Sequence, residues 1–512
     1  MSMNSSGLLL QRHVGRLVMQ QHNIASDLQD SWSLVGAKGA WSGERYKASL
    51  RDRRQVWYDG NRIEVTEHPD FVSMLNHLAA LYDLQYQPEL REQMLYTSPL
   101  TGNPVSYSWL APSTQEELSA KWRNSHLWME HTLGMVPRVP DFMSNVVVGL
   151  YDFRHHAGQV NPRFKENIKR YYLYCRENDI SLTHAIGDPQ IDRSATLEEC
   201  PESGLRVVEK REDGIVVRGA KNLATLAPFC HEALIYMSPS YALRKHKDYV
   251  VWFSVAMETP GLHILCREAH VKRGSSHQHL LSERFDEQDA MLFFDDVFIP
   301  NDRIFLLEEA ETAFEGFFRL NAWALYVGQI RFYHRLRTFL GVASLISQSI
   351  GVNEFREIQN QLGELSAYLE LIRHSLIAMN VEARVTDSGL LAPASTLAPD
   401  TFAAQISGRI NEIVRTISGA GIIMQPSLRD LETPELRPFL ERYMRGKSCS
   451  VDFKSRLFRF AWEMVADAFG SRQDIYELWN RGDVVRNRIH LYKTLGAREE
   501  IENHIRQLLD IY

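Results

Sequence analysis

Residues 204–225, GLRVVEKREDGIVVRGAKNLAT, read as a strand, a tight turn at Asp213-Gly214 and a second strand. Further short runs follow at 233–237 (ALIYM), 249–257 (YVVWFSVAM), 261–266 (GLHILC) and 290–300 (AMLFFDDVFIP). They are rich in Val, Ile and aromatic residues and bounded by Gly, Pro and Asp, as strands are. Residues 180–308 therefore read as a β domain. On its N-terminal side, 41–179 is mostly helical: Phe71, Met74, Leu75, Leu78, Leu81 and Leu84 recur every three or four residues along one stripe. Residues 115–134 and 162–179 follow the same logic, with Pro137, Pro140 and Pro162 marking the loops between. Helical periodicity returns over 309–512, in runs that predict an antiparallel bundle, with 386–400 as a long surface connection. Residues 1–40 remain as an N-terminal extension, in which 7–21 reads as a helix packing on a neighbour rather than as a transit peptide. The expected class is α+β, helices flanking a small β domain.

The chain has 512 residues, enough for more than one core, and a formal charge of -7. An acidic chain without a basic stripe is a poor match for nucleic acid. No apolar run reaches the roughly 18 residues that span a bilayer. The five cysteines, Cys175, Cys200, Cys230, Cys266 and Cys449, form no CxxC pair and read as reduced thiols of a cytoplasmic protein.

A nicotinamide domain needs a glycine fingerprint between strand and helix. The one candidate, SGAGII at 418–423, lacks the third glycine and follows a helix. His270, His277 and His279 match no metal-ligand spacing, so no metal is expected. Three other segments stand out. In MVPRVPDF (135–142), Arg138 is held between two prolines that fix its backbone. In SLTHAIGDPQIDRS (181–194), His184 enters a loop carrying Asp188, Asp192 and Arg193. The stretch SERFDEQDAMLFFDDVFIPNDRIF (282–305) has a charged start and no evident chemistry of its own, and reads as structural.

Together with WSGERYKASLRDRRQVWYDGNRIEVTEHPDF (41–71), FREIQNQLGEL (355–365), SLRDLETPELRPFLERYMRGK (427–447) and FGSRQDIYE (469–477), these segments resemble the 4-hydroxyphenylacetate 3-monooxygenase oxygenase family. These are two-component, FADH2-dependent group D flavin monooxygenases. The resemblance covers nearly all of residues 41–480 and implies an acyl-CoA-dehydrogenase-like fold, with a middle β-barrel domain between helical domains. It implies hydroxylation of an aromatic, phenolic substrate ortho to its hydroxyl through a C4a-hydroperoxyflavin. FAD would arrive reduced from a separate NAD(P)H:flavin reductase, with O2 as co-substrate. Arg138 and His184 match the pair that holds the phenolic oxygen. Ala185, Ile186, Gln190, Ile191, Asp192, Arg193 and Thr225, with His184, match the flavin-contacting stretches, and Phe469, Gly470, Ser471 and Arg472 match where the bundle meets the cofactor. The loop YMSPSYALRKHKD (236–248) matches a mobile substrate loop, with Ser238 and Ser240 as polar contacts.

One position departs from the pattern. Hydroxylases of small 4-hydroxyphenyl acids usually carry Tyr where this chain has Phe142, and the lost hydroxyl points to a different substrate. The basic run Arg244–Lys247 reads as a solvated tip, or as a receiver of an acidic substrate or carrier protein. The alternatives are therefore a carrier-tethered or non-phenolic aromatic substrate, or oxidative removal of a halide or nitro group. A radical dehydratase of the same superfamily needs a CxxxC pair for its iron–sulfur cluster, and none is present. A homodimer or homotetramer through the bundle is the family's usual assembly.

Overall fold

The computed structural model describes residues 32, 34, 36–237, 246–272 and 278–509. The helix expected at 7–21 lies outside them, as do His277, Ser238, Ser240, Arg244 and Lys245.

The strands are β1 (Gln55–Tyr58), β2 (Asn61–Ile63), β3 (Leu95–Thr97), β4 (Pro104–Ser106), β5 (Leu182–Ala185), β6 (Arg206–Lys210), β7 (Gly214–Thr225), β8 (Glu232–Ile235), β9 (Val251–Ala256), β10 (Leu262–Cys266), β11 (Asp289–Pro300) and β12 (Ile304–Leu307), with a two-residue pair β13 (Arg384–Val385) and β14 (Leu391–Ala392). The hairpin β6–β7 forms as expected, but Gly214 serves close approach and not a left-handed turn. A Cβ there would lie 2.2 Å from the carbonyl of Ile299 on β11. The expected barrel is not found. Among the described residues the strands make a six-stranded sheet, β2-β1-β10-β11-β7-β6, and a separate four-stranded sheet, β12-β9-β8-β5. Each keeps two edges, so neither closes. Residues 41–179 are also less helical than their periodicity implies. From that region β1 joins the six-stranded sheet in parallel to β10 and carries β2 with it.

A bulge shapes the far end of the hairpin. Between the pairs Ala290↔Ala224 and Leu292↔Lys221, Asn222 and Leu223 oppose Met291 alone, and Leu223 takes φ 58°. Beyond it Thr225 ends β7 beside Asp289.

The longer helices are α1 (Pro69–Leu84), α2 (Gln115–His131), α3 (Pro140–Val160), α4 (Pro162–Asn178), α5 (Ala310–Ile350), α6 (Arg356–Val381), α7 (Leu397–Ser418), α8 (Val451–Val465), α9 (Ala468–Trp479), α10 (Val484–Thr494) and α11 (Arg498–Leu508). Pro140 and Pro162 begin helices rather than lying in loops, since proline suits a first turn whose N–H has no helical partner. Helix α3 is central: residues 141–150 are all buried. At Gly149 it meets α5 so closely that a Cβ would lie 2.6 Å from the Leu320 carbonyl. One residue on from that crossing, Asn321 of α5 lies 3.5 Å from the hydroxyl of Tyr236, just beyond β8.

Candidate active site

Arg138 sits in the turn that leads into α3. Its backbone N–H donates to Glu287 Oε1 at 2.8 Å, so a carboxylate as well as two prolines fixes the main chain. Its side chain donates from Nη1 to Tyr476 Oη at 2.9 Å, and the guanidinium carbon stands 3.9 Å from the centroid of the Phe142 ring. The Nε–H of Arg138 is buried without a partner among the described residues. Phe142 lies in the first turn of α3, where its ring meets the imidazole of His184 edge-on, centroids 5.7 Å apart.

His184 belongs to β5, all four of whose residues are buried, and it pairs with Leu234 of β8. Its Nδ1 lies 2.8 Å from Tyr236 Oη, just beyond β8. Burial, and then the nearby Arg138 charge, push its pKa well below the ordinary histidine value of 6.5. The ring is therefore neutral near neutral pH, a lone pair beside a permanent cation.

A second cluster joins the sheet to the bundle. Thr225 Oγ1 donates to Asp289 Oδ1 at 2.8 Å. Arg472 of α9 grips the same carboxylate with Nε and Nη2, at 2.9 and 2.7 Å, and reaches Glu287 Oε2 with Nη1 at 2.8 Å. Arg267 also binds Asp289. Burial alone would raise the Asp289 pKa, but Arg472 and then Arg267 hold it well below the usual carboxylate range. Glu287 goes the other way: its complete burial outweighs the attraction of Arg472 and raises it. Because Glu287 accepts from Arg138 on one oxygen and Arg472 on the other, it links the two clusters.

The remaining expected residues are more scattered. Ala185 is buried and Ile186 half-buried. Gln190, Ile191, Asp192 and Arg193 are exposed on the following loop, where Asp192 accepts from the N–H and hydroxyl of Ser194. That loop is tied to the hairpin by the Gly187–Asn222 bridge and by a Lys221–Asp188 ion pair at 2.6 Å. Phe469 and Gly470 are buried at the start of α9, while Ser471 is exposed. The structure thus gathers Arg138, Phe142 and His184 into one group and Thr225 with Arg472 into another, and leaves Gln190–Arg193 on the surface. It adds four residues that sequence reasoning did not single out: Tyr236, Glu287, Asp289 and Tyr476. For Glu287 and Asp289 a signal existed, two acids spaced so that both face the same side at the entry to a strand. Tyr236 and Tyr476 stand inside the quoted segments 236–248 and 469–477, but no local pattern marks either as a site residue.

Family profiles described as the N-terminal and C-terminal parts of 4-hydroxyphenylacetate 3-hydroxylase match residues 42–306 and 313–510. The chain belongs to this family. It is 35% identical to the 4-hydroxyphenylacetate 3-monooxygenase oxygenase component of Thermus thermophilus over 92% of this chain and 99% of that one. It is 33% identical to the protein of the same description from a Geobacillus species, over 87% and 92% of the two chains. A solved structure described as the oxygenase component (HpaB) of 4-hydroxyphenylacetate 3-monooxygenase complexed with FAD and 4-hydroxyphenylacetate superposes with a TM-score of 0.87 at 33% identity, covering 92% of this chain and 98% of that one. The chain is accordingly an FADH2-utilising aromatic monooxygenase with the acyl-CoA-dehydrogenase-like fold, the oxygenase component of a two-component system. FAD is its cofactor and O2 its co-substrate, and a separate reductase serves it. Among the described residues no helix is long and apolar enough to cross a membrane.

Proposed function

We propose that the chain hydroxylates a phenol ortho to its hydroxyl, with Arg138 holding the phenolic oxygen and His184 accepting its proton. The observation that carries this reading is that an unsatisfied guanidinium N–H and a neutral imidazole both pack against the Phe142 ring. A phenol becomes a strong carbon nucleophile once its oxygen bears negative charge, and a fixed cation favours that charge. Reduced FAD, when bound, supplies with O2 the electrophilic oxygen atom. Arg138 then stabilises the phenolate oxygen, His184 holds the proton on Nε2, and Phe142 gives the ring an apolar wall.

The residues around the hairpin suit a flavin. Ile191 and Leu223, on the two segments joined by the Gly187–Asn222 bridge, expose 57% and 62% of their surface, apolar area available to a flat ring. Gln190 and Arg193 stand beside it with polar groups suited to the ribityl chain and phosphates. Thr225 and the start of α9, from Phe469 to Arg472, would close the other side, and Ser238 and Ser240 would meet the substrate from the loop. Phe142 offers no hydroxyl, which favours a phenol bulkier or differently placed than 4-hydroxyphenylacetate. Loss of a ring substituent, or a substrate carried on a partner protein, is the second reading on the same ground.

Ile475 and Trp479 of α9, Val485 and Ile489 of α10, and Ile501, Ile505 and Leu508 of α11 are each at least half exposed. Such apolar helix faces support a homodimer or homotetramer built through the bundle. The free thiols support a reducing compartment, the cytoplasm. The deciding experiment supplies chemically reduced FAD and O2 and screens phenols for an oxygenated product. Turnover unchanged in both Arg138→Ala and His184→Ala overturns the assignment.

A further inference from the structure

The hydrogen bond at His184 Nδ1 continues outward. Tyr236 Oη, 2.8 Å from Nδ1, lies 3.5 Å from Oδ1 of Asn321 on α5. The amide of Asn321 is itself oriented, because its Nδ2 donates to the carbonyl of Phe317 one turn back at 2.6 Å. Rotating the amide would set two oxygens against each other, so Oδ1 is the atom that faces the tyrosine. An amide oxygen only accepts. Of its two contacts, Asn321 Oδ1 is the one to which Tyr236 can only donate, and donation there leaves its oxygen lone pair for the imidazole. A lone pair on Oη requires a proton on Nδ1, and a neutral imidazole with its proton on Nδ1 has none on Nε2.

We propose that Tyr236 and Asn321 are positioning residues that hold His184 in the Nδ1–H tautomer, so that Nε2 is the bare nitrogen that accepts the substrate's proton. No described residue hydrogen-bonds Nε2, and Arg138 is the charged group that faces the ring. Trp252 and Phe317, which pack on the Tyr236 ring, are apolar walls that keep water from competing for its hydroxyl. When His184 becomes charged during turnover, the same Nδ1–H···Oη bond strengthens, because its donor is then cationic. The role assigned to Nε2 rests on the phenol reading above; the tautomer itself does not.

The two can be separated by experiment. In full-length protein labelled with 15N-histidine, magic-angle-spinning NMR reads which ring nitrogen carries the proton, and the resonances lost in His184→Gln identify the residue. The expected result is a protonated Nδ1 and a bare Nε2 in the wild type, with the populations moved toward Nε2–H in Tyr236→Phe and, less far, in Asn321→Leu. Turnover number should fall about tenfold in Tyr236→Phe with KM unchanged, the scale of one hydrogen bond to a buried partner. A wild-type His184 already protonated on Nε2, or no movement in either variant, overturns the inference. Should Tyr236→Phe fail to fold, Asn321→Leu decides alone, because Asn321 is only half-buried. If the tautomer moves as expected while His184→Ala turns over normally, the positioning stands and the phenol reading falls.

Discussion

Arg138 and Arg472 lie around one ring, their guanidinium carbons 5.3 and 5.4 Å from the centroid of Tyr476, yet their nitrogens are used differently. Every nitrogen of Arg472 donates to a buried carboxylate, Asp289 or Glu287. Arg331, also 5.4 Å from the ring, is paired with Glu477 at 2.6 Å. Among the described residues, Arg138 alone of the three has no carboxylate on its side chain: Glu287 takes its backbone N–H, a tyrosine hydroxyl takes one Nη, and Nε is unsatisfied. Full neutralisation is what a structural cation needs when it is buried, because the desolvation penalty must be offset. A cation meant for a ligand keeps its charge unspent. The difference supports the proposed reading, in which Arg472 anchors the sheet to the bundle and Arg138 meets the substrate.

The largest expected effect comes from removing each arginine in turn. Arg472→Ala leaves buried Glu287 without a side-chain cation and Asp289 with Arg267 alone, and should cost about 3 kcal/mol of stability. Arg138→Ala strands no carboxylate, so its urea midpoint should stay near wild type while turnover falls about a hundredfold or more. Parallel denaturation and product assays check both. Equal loss of stability in the two variants would erase the distinction.

The contrast also predicts a pH effect, about one order smaller. His184 is held neutral by burial first and by the Arg138 charge second. A neutral imidazole accepts the phenol proton and a charged one does not, so activity is lost only as pH falls through the depressed value. The acid limb of kcat/KM should therefore lie well below pH 6.5 in the wild type. Arg138→Gln removes a repelling charge, which raises the His184 pKa and should move that limb upward by up to about one pH unit. A limb that stays in place means that Arg138 does not act on His184 through its charge.

The sequence made some of this visible and hid the rest for physical reasons. Arg138 between Pro137 and Pro140 announces a fixed backbone, and the alternation in 204–225 announces a hairpin, because both are local patterns. The tyrosines are different. Tyr476 lies four residues beyond Arg472 in the motif FGSRQDIYE, yet nothing local marks it, and its contact arises only when Arg138, 338 positions away, is folded against it. The short strand β1 pairs with β10 more than two hundred residues later; the Val and aromatics of QVWY suit a strand, but nothing in them names that partner. The barrel expectation failed for a related reason. Closure depends on which edges find each other, and strand content says nothing about edges.

Phe142 gives the smallest and most specific test. Its ring is 3.9 Å from the Arg138 guanidinium carbon and 5.7 Å from the His184 ring, so it already contacts both groups proposed to hold the phenol. A hydroxyl at its edge would add one more donor at that point. In an apolar site such a bond is worth about 1 kcal/mol, or roughly fivefold in affinity. If the natural substrate places its phenolic oxygen near that edge, Phe142→Tyr should raise kcat/KM for small 4-hydroxyphenyl acids about fivefold, chiefly through KM. If the substrate is bulkier and its ring occupies that space, the same hydroxyl intrudes on it and lowers kcat/KM for the true substrate. Measuring both classes on the one variant therefore ranks them. A gain for 4-hydroxyphenylacetate with a loss for another phenol marks the second compound as the better match. Equal ratios before and after would mean that position 142 does not read the substrate, leaving Arg138 and His184 to do so.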